Sequence, residues 1–167
     1  ASGYFERCKK IAEELKDKLM ISNTISNLGL VYYYKRDYEK AINMYRSCLA
    51  ISEEIGDKKG IGRTSNNLGL LYRAQHQYDK AIELFQNYFL IAKEIGDKQG
   101  MGIACGNMGP IHYARGEYEA AEELFKTHLK ISEETGEKRS IGVASYNLGF
   151  LYYDLGEYQK AIGYFLK

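Results

Sequence analysis

The chain has 167 residues, of which 45% are hydrophobic and 27% are charged, so it is long enough to bury a core. Its 23 lysines and arginines nearly balance its 22 acidic residues, which argues against a nucleic-acid binder or a basic membrane-surface protein. No apolar run of about 18 residues that would span a bilayer is present, and the start shows no signal-peptide pattern. We therefore expect a cytoplasmic protein without nucleic-acid or membrane partners.

The first predicted element is a helix over residues 1–20. Phe5, Cys8, Ile11 and Leu15 follow the three-and-four spacing of a helix with one apolar face. They align with residues 45, 48, 51 and 55, which lie in the second half of a later unit. The chain thus begins inside a repeating unit, starts without methionine and stops inside another unit at residue 167. We interpret it as a fragment of a longer protein.

The remaining sequence repeats with a period of forty residues. Asn-Leu-Gly occurs at 27–29, 67–69 and 147–149, with Asn-Met-Gly at 107–109. Two further columns keep the same offset, namely alanines at 41, 81, 121 and 161 and aromatic residues at 45, 85, 125 and 165. The pattern predicts full repeats over 21–60, 61–100 and 101–140 and a truncated repeat over 141–167, all within a single array over 1–167.

Each repeat contains two helical patterns, over roughly 59–74 and 78–95 in the second repeat, as judged from helical spacing. Gly116 and Gly156 lie in the turns within repeats, where a helix end needs a left-handed residue. Between repeats, Gly56-Asp57 and equivalent pairs supply a glycine to end one helix and a carboxylate to cap the next. Apolar residues do not alternate as in strands, so the predicted fold is all-α.

A glycine lies in the middle of the first helix of every repeat, at positions 29, 69, 109 and 149. A glycine there costs about 1 kcal/mol relative to alanine, so a packing gain must offset it. We expect the glycine and the alanine column beginning at Ala41 to let the two helices of a hairpin approach closely. One hairpin cannot bury all its apolar surface, and neighbouring hairpins must therefore stack.

These residues resemble the tetratricopeptide repeat. The family pattern is nearly complete in Asn147-Leu148-Gly149, Tyr152, Gly156, Tyr158, Ala161, Ile162 and Phe165. The common repeat has 34 residues, whereas the longer form here is similar to Partner-of-Inscuteable-type scaffolds, kinesin light chains and prokaryotic regulators. The resemblance implies a right-handed α-solenoid of antiparallel hairpins that binds a protein or peptide and is not an enzyme.

In the family, one face of the first helices lines a concave groove, which we call the ligand stripe. Here it comprises Asn23, Ser26, Asn27, Leu30, Tyr33; Arg63, Asn66, Asn67, Leu70, Arg73; Ile103, Gly106, Asn107, Pro110, Tyr113; and Val143, Tyr146, Asn147, Phe150, Tyr153. The residues predicted to contact a peptide are Asn27, Asn67, Asn107, Asn147, Arg63, Arg73, Asn66, Leu70, Tyr113, Tyr146, Phe150 and Tyr153.

The asparagine column has two interpretations. An amide both donates and accepts, so a row of asparagines suits the backbone of an extended peptide, as in related peptide-binding repeats. Alternatively, each asparagine satisfies polar groups of a neighbouring helix. Arg63 and Arg73 lie about 15 Å apart along one helix and suit acidic ligand side chains, or they are solvated or paired within the chain.

The sequence contains no set of residues that would form a catalytic or metal site. Cys8, Cys48 and Cys105 lack disulfide or Cys-x-x-Cys spacing and are interpreted as structural thiols. The three histidines lack zinc-site neighbours. Pro110 predicts a kink in its helix. No cofactor or metal is expected, and no acid, base and nucleophile set converges.

Three functional hypotheses remain. The first is a scaffold that holds an extended or helical segment of a partner. The second is a peptide-sensing regulatory domain of a larger signalling protein. The third is end-to-end self-association through the incomplete terminal repeats, since Ile162, Phe165 and Leu166 at one end and Phe5 and Ile11 at the other lack complete neighbours.

Overall fold

The structure is a computed structural model that describes residues 17–167. Most of the helix predicted over 1–20, including Cys8 and the apolar residues at 5 and 11, lies outside the described residues. Residues 18–20 do not continue that helix, because Asp17 caps a new helix that begins at Lys18. Its side chain accepts a hydrogen bond from the backbone N–H of Met20 at 2.9 Å.

The described part of the chain is all-α and contains no strand. Its first helices begin forty residues apart, as the period predicts, and the helices predicted at 59–74 and 78–95 form within one residue of those bounds. The eight helices are α1 Lys18–Tyr34, α2 Tyr38–Glu54, α3 Lys58–Ala74, α4 Tyr78–Glu94, α5 Lys98–Ala114, α6 Tyr118–Thr135, α7 Lys138–Asp154 and α8 Tyr158–Phe165. No helix among residues 17–167 combines the length and apolar character needed to cross a bilayer.

The turns use the residues that the sequence singles out. Gly56, Gly96, Gly116, Gly136 and Gly156 all have φ between 69° and 76°, in the left-handed region where glycine avoids the steric cost of a Cβ atom. In the first two hairpin turns, Arg36 and His76 adopt φ of 59° in the same role. Asp57 and Asp97 cap α3 and α5 by accepting the backbone N–H of Gly60 and Gly100, each at 2.9 Å.

The chain divides into two compact units, residues 1–91 and 92–167. In the first unit the core lies between α1, α2 and α3, where large aromatic and aliphatic residues close around a buried alanine. Its buried residues are Ala41, Tyr45, Leu68 and Leu71. A second buried cluster in this unit is polar, with Sγ of Cys48 3.1 Å from Oγ of Ser22 and 3.2 Å from Oγ1 of Thr64.

In the second unit, α7 lies between α6 and α8 and contributes half of the buried core. The buried residues are Ala121, Phe125, Leu129, Ala144, Leu148, Leu151, Tyr152 and Ala161. Each core thus depends on a helix pair together with a helix of an adjacent repeat, which is why a single hairpin is insufficient.

The helix-interior glycines make a close contact, but their partner differs from the prediction. A Cβ atom on Gly29 would lie 2.8 Å from the ring of Tyr45, and one on Gly69 would lie 2.6 Å from Phe85. Gly109 and Gly149 repeat this arrangement against Phe125 and Phe165. The glycine thus makes room for the aromatic ring four residues after the alanine of the following helix, and this ring, not the alanine, is its nearest neighbour.

Candidate ligand-binding surface

In the first unit, the ligand stripe of α1 and α3 is partly exposed and carries no acidic residue. Helical spacing places the stripe beside the packing residues, so Leu28 and Gly29 are buried whereas Asn27 and Leu30 are exposed. On α3 the equivalent residues Asn67 and Leu70 are half-buried. The buried residues thus hold the helices in place, and the neighbouring stripe side chains remain accessible to a ligand.

An opening of about 280 Å³ lies on this surface between α1 and α3. Apolar and aromatic side chains form most of its lining, and one amide contributes polar atoms. The lining residues are Leu30, Tyr33, Tyr34, Tyr45, Asn67 and Leu70. Its volume lies at the lower end of small-molecule sites, which suits a single bulky apolar side chain.

The two arginines of α3 differ in their surroundings. Arg63 is exposed, and its Nη2 donates to Oδ1 of Asn23 at 3.1 Å, which joins equivalent positions of successive repeats. Arg73 is half-buried one turn beyond Leu70. The intramolecular alternative considered for these arginines therefore holds for Arg63 in this structure.

In the second unit, the stripe of α5 offers few side-chain atoms to a ligand because it contains Gly106 and Pro110. The helix continues from Lys98 to Ala114 around this proline. Further along, the hydroxyl of Tyr113 donates to the carboxylate of Asp154 on α7. This hydrogen bond, with the partial burial of the ring, raises the pKa of Tyr113 to about 12. The hydroxyl of this predicted contact residue is thus already engaged.

The stripe of α7 is aromatic and uncharged. Tyr146 and Tyr153 are 57% and 56% exposed, and Phe150 is 40% exposed, so these rings form an accessible apolar strip. The ring centroids of Tyr146 and Phe150 are 4.6 Å apart, and Phe150 meets Phe165 of α8 edge-on at 5.4 Å. Such ring contacts fix the orientation of the strip before any ligand binds.

The asparagine column is graded in exposure. Asn27 is exposed, whereas Asn67, Asn107 and Asn147 are half-buried. Asn66 and Asn107 already have interaction partners within the chain. The second unit thus uses at least one member of the column internally, and Asn67 lies at the opening of the first unit.

The thiols and imidazoles do not form a reactive centre in the described part of the chain. Cys48 and Cys105 are buried free cysteines, and burial raises the pKa of Cys105 to about 11. Residues 17–167 contain no cluster of three histidine, cysteine or acidic residues that would hold a metal ion. His128 is also buried, in the same column as the buried Cys48 and Tyr88.

Two tyrosines of the opening lie outside the predicted ligand stripe. Tyr34 follows the stripe at the exposed end of α1, with 76% of its surface accessible. Tyr45 belongs to the core, and its buried ring, packed against Gly29, forms part of the lining of the opening. The pairing of a glycine with an aromatic residue sixteen positions later is the sequence signal that would have indicated this contact.

The family model described as tetratricopeptide repeat matches residues 1–54, 60–134 and 102–167. Among curated protein sequences, none matches the chain. Three solved structures illustrate its structural relatives. BtubC from P. vanneervenii is 20% identical with a TM-score of 0.86, over 96% of this chain and 67% of that one.

Aspartyl phosphate phosphatase F from Bacillus subtilis is 22% identical with a TM-score of 0.89, over 97% of this chain and 43% of its own length. A signal transduction ATPase with a tetratricopeptide repeat sensor from Pyrococcus horikoshii is 24% identical with a TM-score of 0.80. The match covers 97% of this chain and 26% of the ATPase. At these identities the likeness concerns the repeat solenoid fold alone. The chain spans less than half of the latter two proteins.

Proposed function

The chain belongs to the tetratricopeptide repeat family, and we propose that it is an interaction module that binds an extended or helical segment of a partner protein along its ligand stripe. The observation that carries the proposal is the opening of the first unit, where four stripe residues surround space for one apolar side chain. The amide of Asn67 at this opening has both a donor and an acceptor for the backbone of such a segment.

The charges of the first unit favour a segment with acidic residues. Its stripe contains Arg63 and Arg73 and no carboxylate, and a guanidinium forms strong charge-assisted hydrogen bonds with carboxylates. The second unit has an uncharged aromatic strip on α7, which suits apolar side chains of a ligand. The two units thus differ in the ligand chemistry that each favours.

The proposal is tested by selecting ligands from a phage-displayed library of random twelve-residue peptides against the immobilised chain. A selected peptide is then titrated by fluorescence anisotropy against the wild type and three variants. We expect Asn67→Ala and Leu70→Glu to weaken binding at least tenfold, which is about 1.4 kcal/mol. Asn43→Ala is the matched control, because Asn43 is exposed on α2 outside the stripe.

Circular dichroism separates loss of binding from loss of folding in each variant. A failure to enrich any peptide would contradict the proposal, as would peptides whose affinity is the same for all variants. If Asn67→Ala unfolds the chain, the asparagine has the structural role, and Leu70→Glu then provides the test of the surface.

A sensing role is the second candidate, favoured by the likeness to a signalling ATPase whose repeats are described as a sensor. In this case a bound peptide would alter the shape of the module. Small-angle scattering with and without the selected peptide distinguishes the two, since a scaffold keeps its radius of gyration and a sensor changes it.

Self-association is the third candidate. On α8, Ile162 and Phe165 are 50% and 45% exposed, and the neighbouring Leu166 is 83% exposed. Exposed apolar side chains in a group favour association. Sedimentation velocity at increasing concentration tests this, and we expect Leu166→Lys to abolish any dimer. A monomer at all concentrations would dismiss this candidate.

A further inference from the structure

His128 is a buried histidine with an unpartnered ring nitrogen. The residue lies on α6, is 6% exposed, and its Nδ1 has no hydrogen-bond partner. Its ring lies against α5, where two glycines lack side chains. A Cβ atom on Gly106 would lie 2.9 Å from Nδ1, and one on Gly102 would lie 3.6 Å from Cδ2. The imidazole therefore contacts the bare backbone of α5.

The surroundings of this ring offer little to a positive charge. The adjoining opening has only about 10 Å³, which is about the space for one water molecule. The residues that line it from α5 and α6 include no acidic residue, lysine or arginine. Glu137, at the start of α7, is the one carboxylate in the lining. That carboxylate already accepts the backbone N–H of Ser140 at 2.9 Å and the hydroxyl of the same residue.

Burial accordingly lowers the pKa of His128, and the more distant charge of Glu137 opposes this effect only in part. A group whose folded pKa is depressed takes up its proton at lower pH than in the unfolded chain. Acidification below its ordinary value of 6.5 therefore favours any conformation in which the ring reaches water or an acceptor.

The turn of α5 that touches this ring also lacks one helical hydrogen bond. Pro110 has no N–H, so the carbonyl of Gly106 lacks the donor that a helix normally supplies four residues later. Gly106 itself adds no side-chain packing on this turn. Gly106 and Pro110 are themselves stripe positions on the same helix face, and the stripe residue Asn107 lies between them in the chain. Movement of this turn would thus be transmitted directly to the ligand stripe.

We propose that proton uptake by His128 displaces the Gly106–Pro110 turn and weakens ligand binding to the second unit. This regulation rests on the proposed function of the ligand stripe. The preceding repeats provide an internal contrast, because the same column holds Cys48 and Tyr88. Tyr88 lies 3.0 Å from a Cβ atom built on Gly62, so a ring fills this position without titrating near neutral pH.

The experiment combines NMR spectroscopy with binding measurements on the whole chain. The Cε1–H resonance of His128 and the backbone amides of 102–111 are followed from pH 8 to pH 5. A peptide selected on the wild type at pH 7.5, and shown to occupy the second unit because Phe150→Ala weakens its binding, is titrated at pH 7.5 and 5.5. The variants are His128→Tyr and His128→Cys, which reproduce the two residues of the preceding repeats, and His112→Phe is the control on α5.

We expect the α5 amides to shift with the midpoint of His128, below pH 6.5, and peptide affinity to fall at least tenfold at pH 5.5. In either His128 variant the fall should be less than twofold, whereas the control should behave like the wild type. The NMR titration of the wild type keeps the test valid if both His128 variants fold poorly.

Three results would overturn the inference. If peptide affinity is independent of pH, or if His128 titrates without changing the chemical shifts of the α5 amides, the proposed control of binding by His128 is wrong. The proposed peptide binding would be unaffected by that result. If the resonances of the second unit vanish together, acid unfolds the unit and no local switch exists. If no peptide is selected at pH 7.5, the proposed function fails and the gating fails with it.

Discussion

Cε1 of Phe85 lies 2.6 Å from the position that a Cβ atom on Gly69 would occupy, so the ring on α4 rests directly on the backbone of α3. Phe85 is fully buried and has no free space to enter. Gly69→Leu should therefore unfold the first unit. For Gly69→Ala, overpacking lowers the free energy of unfolding by about 1–3 kcal/mol. The higher helix propensity of alanine raises it by about 1 kcal/mol.

We therefore expect Gly69→Ala to reduce the free energy of unfolding by up to about 2 kcal/mol, measured by urea denaturation. The matched control is Gly142→Ala on α7, where a Cβ atom would meet nothing within 4 Å. This control should gain about 1 kcal/mol from helix propensity alone. A urea midpoint raised by Gly69→Ala as much as by Gly142→Ala would contradict the packing argument.

The left-handed turn at Arg36 predicts a stabilising substitution. Its φ of 59° is unfavourable for a residue with a Cβ atom, whereas the equivalent Gly116 adopts 76° without that cost. We expect Arg36→Gly to raise the free energy of unfolding by about 0.5–1 kcal/mol, as relief of strain exceeds the added entropy of the unfolded chain. Gly116→Ala should show the opposite sign in thermal unfolding, and equal effects of both substitutions would refute this reasoning.

The Tyr113 and Asp154 pair predicts a loss of stability at high pH. The folded pKa of Tyr113 is raised from 10 to about 12, mainly because its hydroxyl donates to Asp154. A raised folded pKa means that the contribution is complete below pH 10 and is lost as pH rises from 10 to 12. Asp154→Ala should bring the pKa of Tyr113 back toward 10 and flatten stability over this interval.

NMR titration of the Tyr113 Cζ resonance and urea denaturation at several pH values measure these two effects. Tyr113→Phe serves as the control, since it lacks the titrating hydroxyl and should show the same flattening. Retention of a pKa near 12 in the Asp154→Ala variant would rule out the hydrogen bond as its cause.

The asparagine column predicts unequal effects on stability. Asn27 is exposed, so Asn27→Ala should change the free energy of unfolding by less than about 0.5 kcal/mol. Asn107 is half-buried and has a partner within the chain, and its replacement by alanine should cost about 1 kcal/mol. Chemical denaturation of the two variants measures the difference. Equal losses would indicate that the column has one uniform structural role.

The helices and their turns were predictable from sequence because the forty-residue period repeats every local signal four times. The left-handed glycines, the caps at Asp57 and Asp97 and the bounds of α3 and α4 all follow from nearby residues. The partner of the interior glycine was wrong in detail, because a ring sixteen positions away reaches it across the hairpin. That contact depends on ring orientation, which periodicity does not define.

The ligand stripe was predictable as a set of positions, but its present hydrogen bonds were not. Arg63 bonds to Asn23 and Tyr113 to Asp154, and each pair is separated by about one repeat. Such bonds depend on long side chains choosing among several acceptors, so spacing alone does not identify them.

The bond between Arg63 and Asn23 has a consequence for selectivity. A carboxylate that approaches Arg63 replaces a neutral amide acceptor and does not rescue an unpaired cation. The gain in binding free energy is therefore only the difference between a charge-assisted and a neutral hydrogen bond. Arg63 would therefore give acidic segments a higher affinity than their amidated counterparts, while contributing little to the absolute affinity of either.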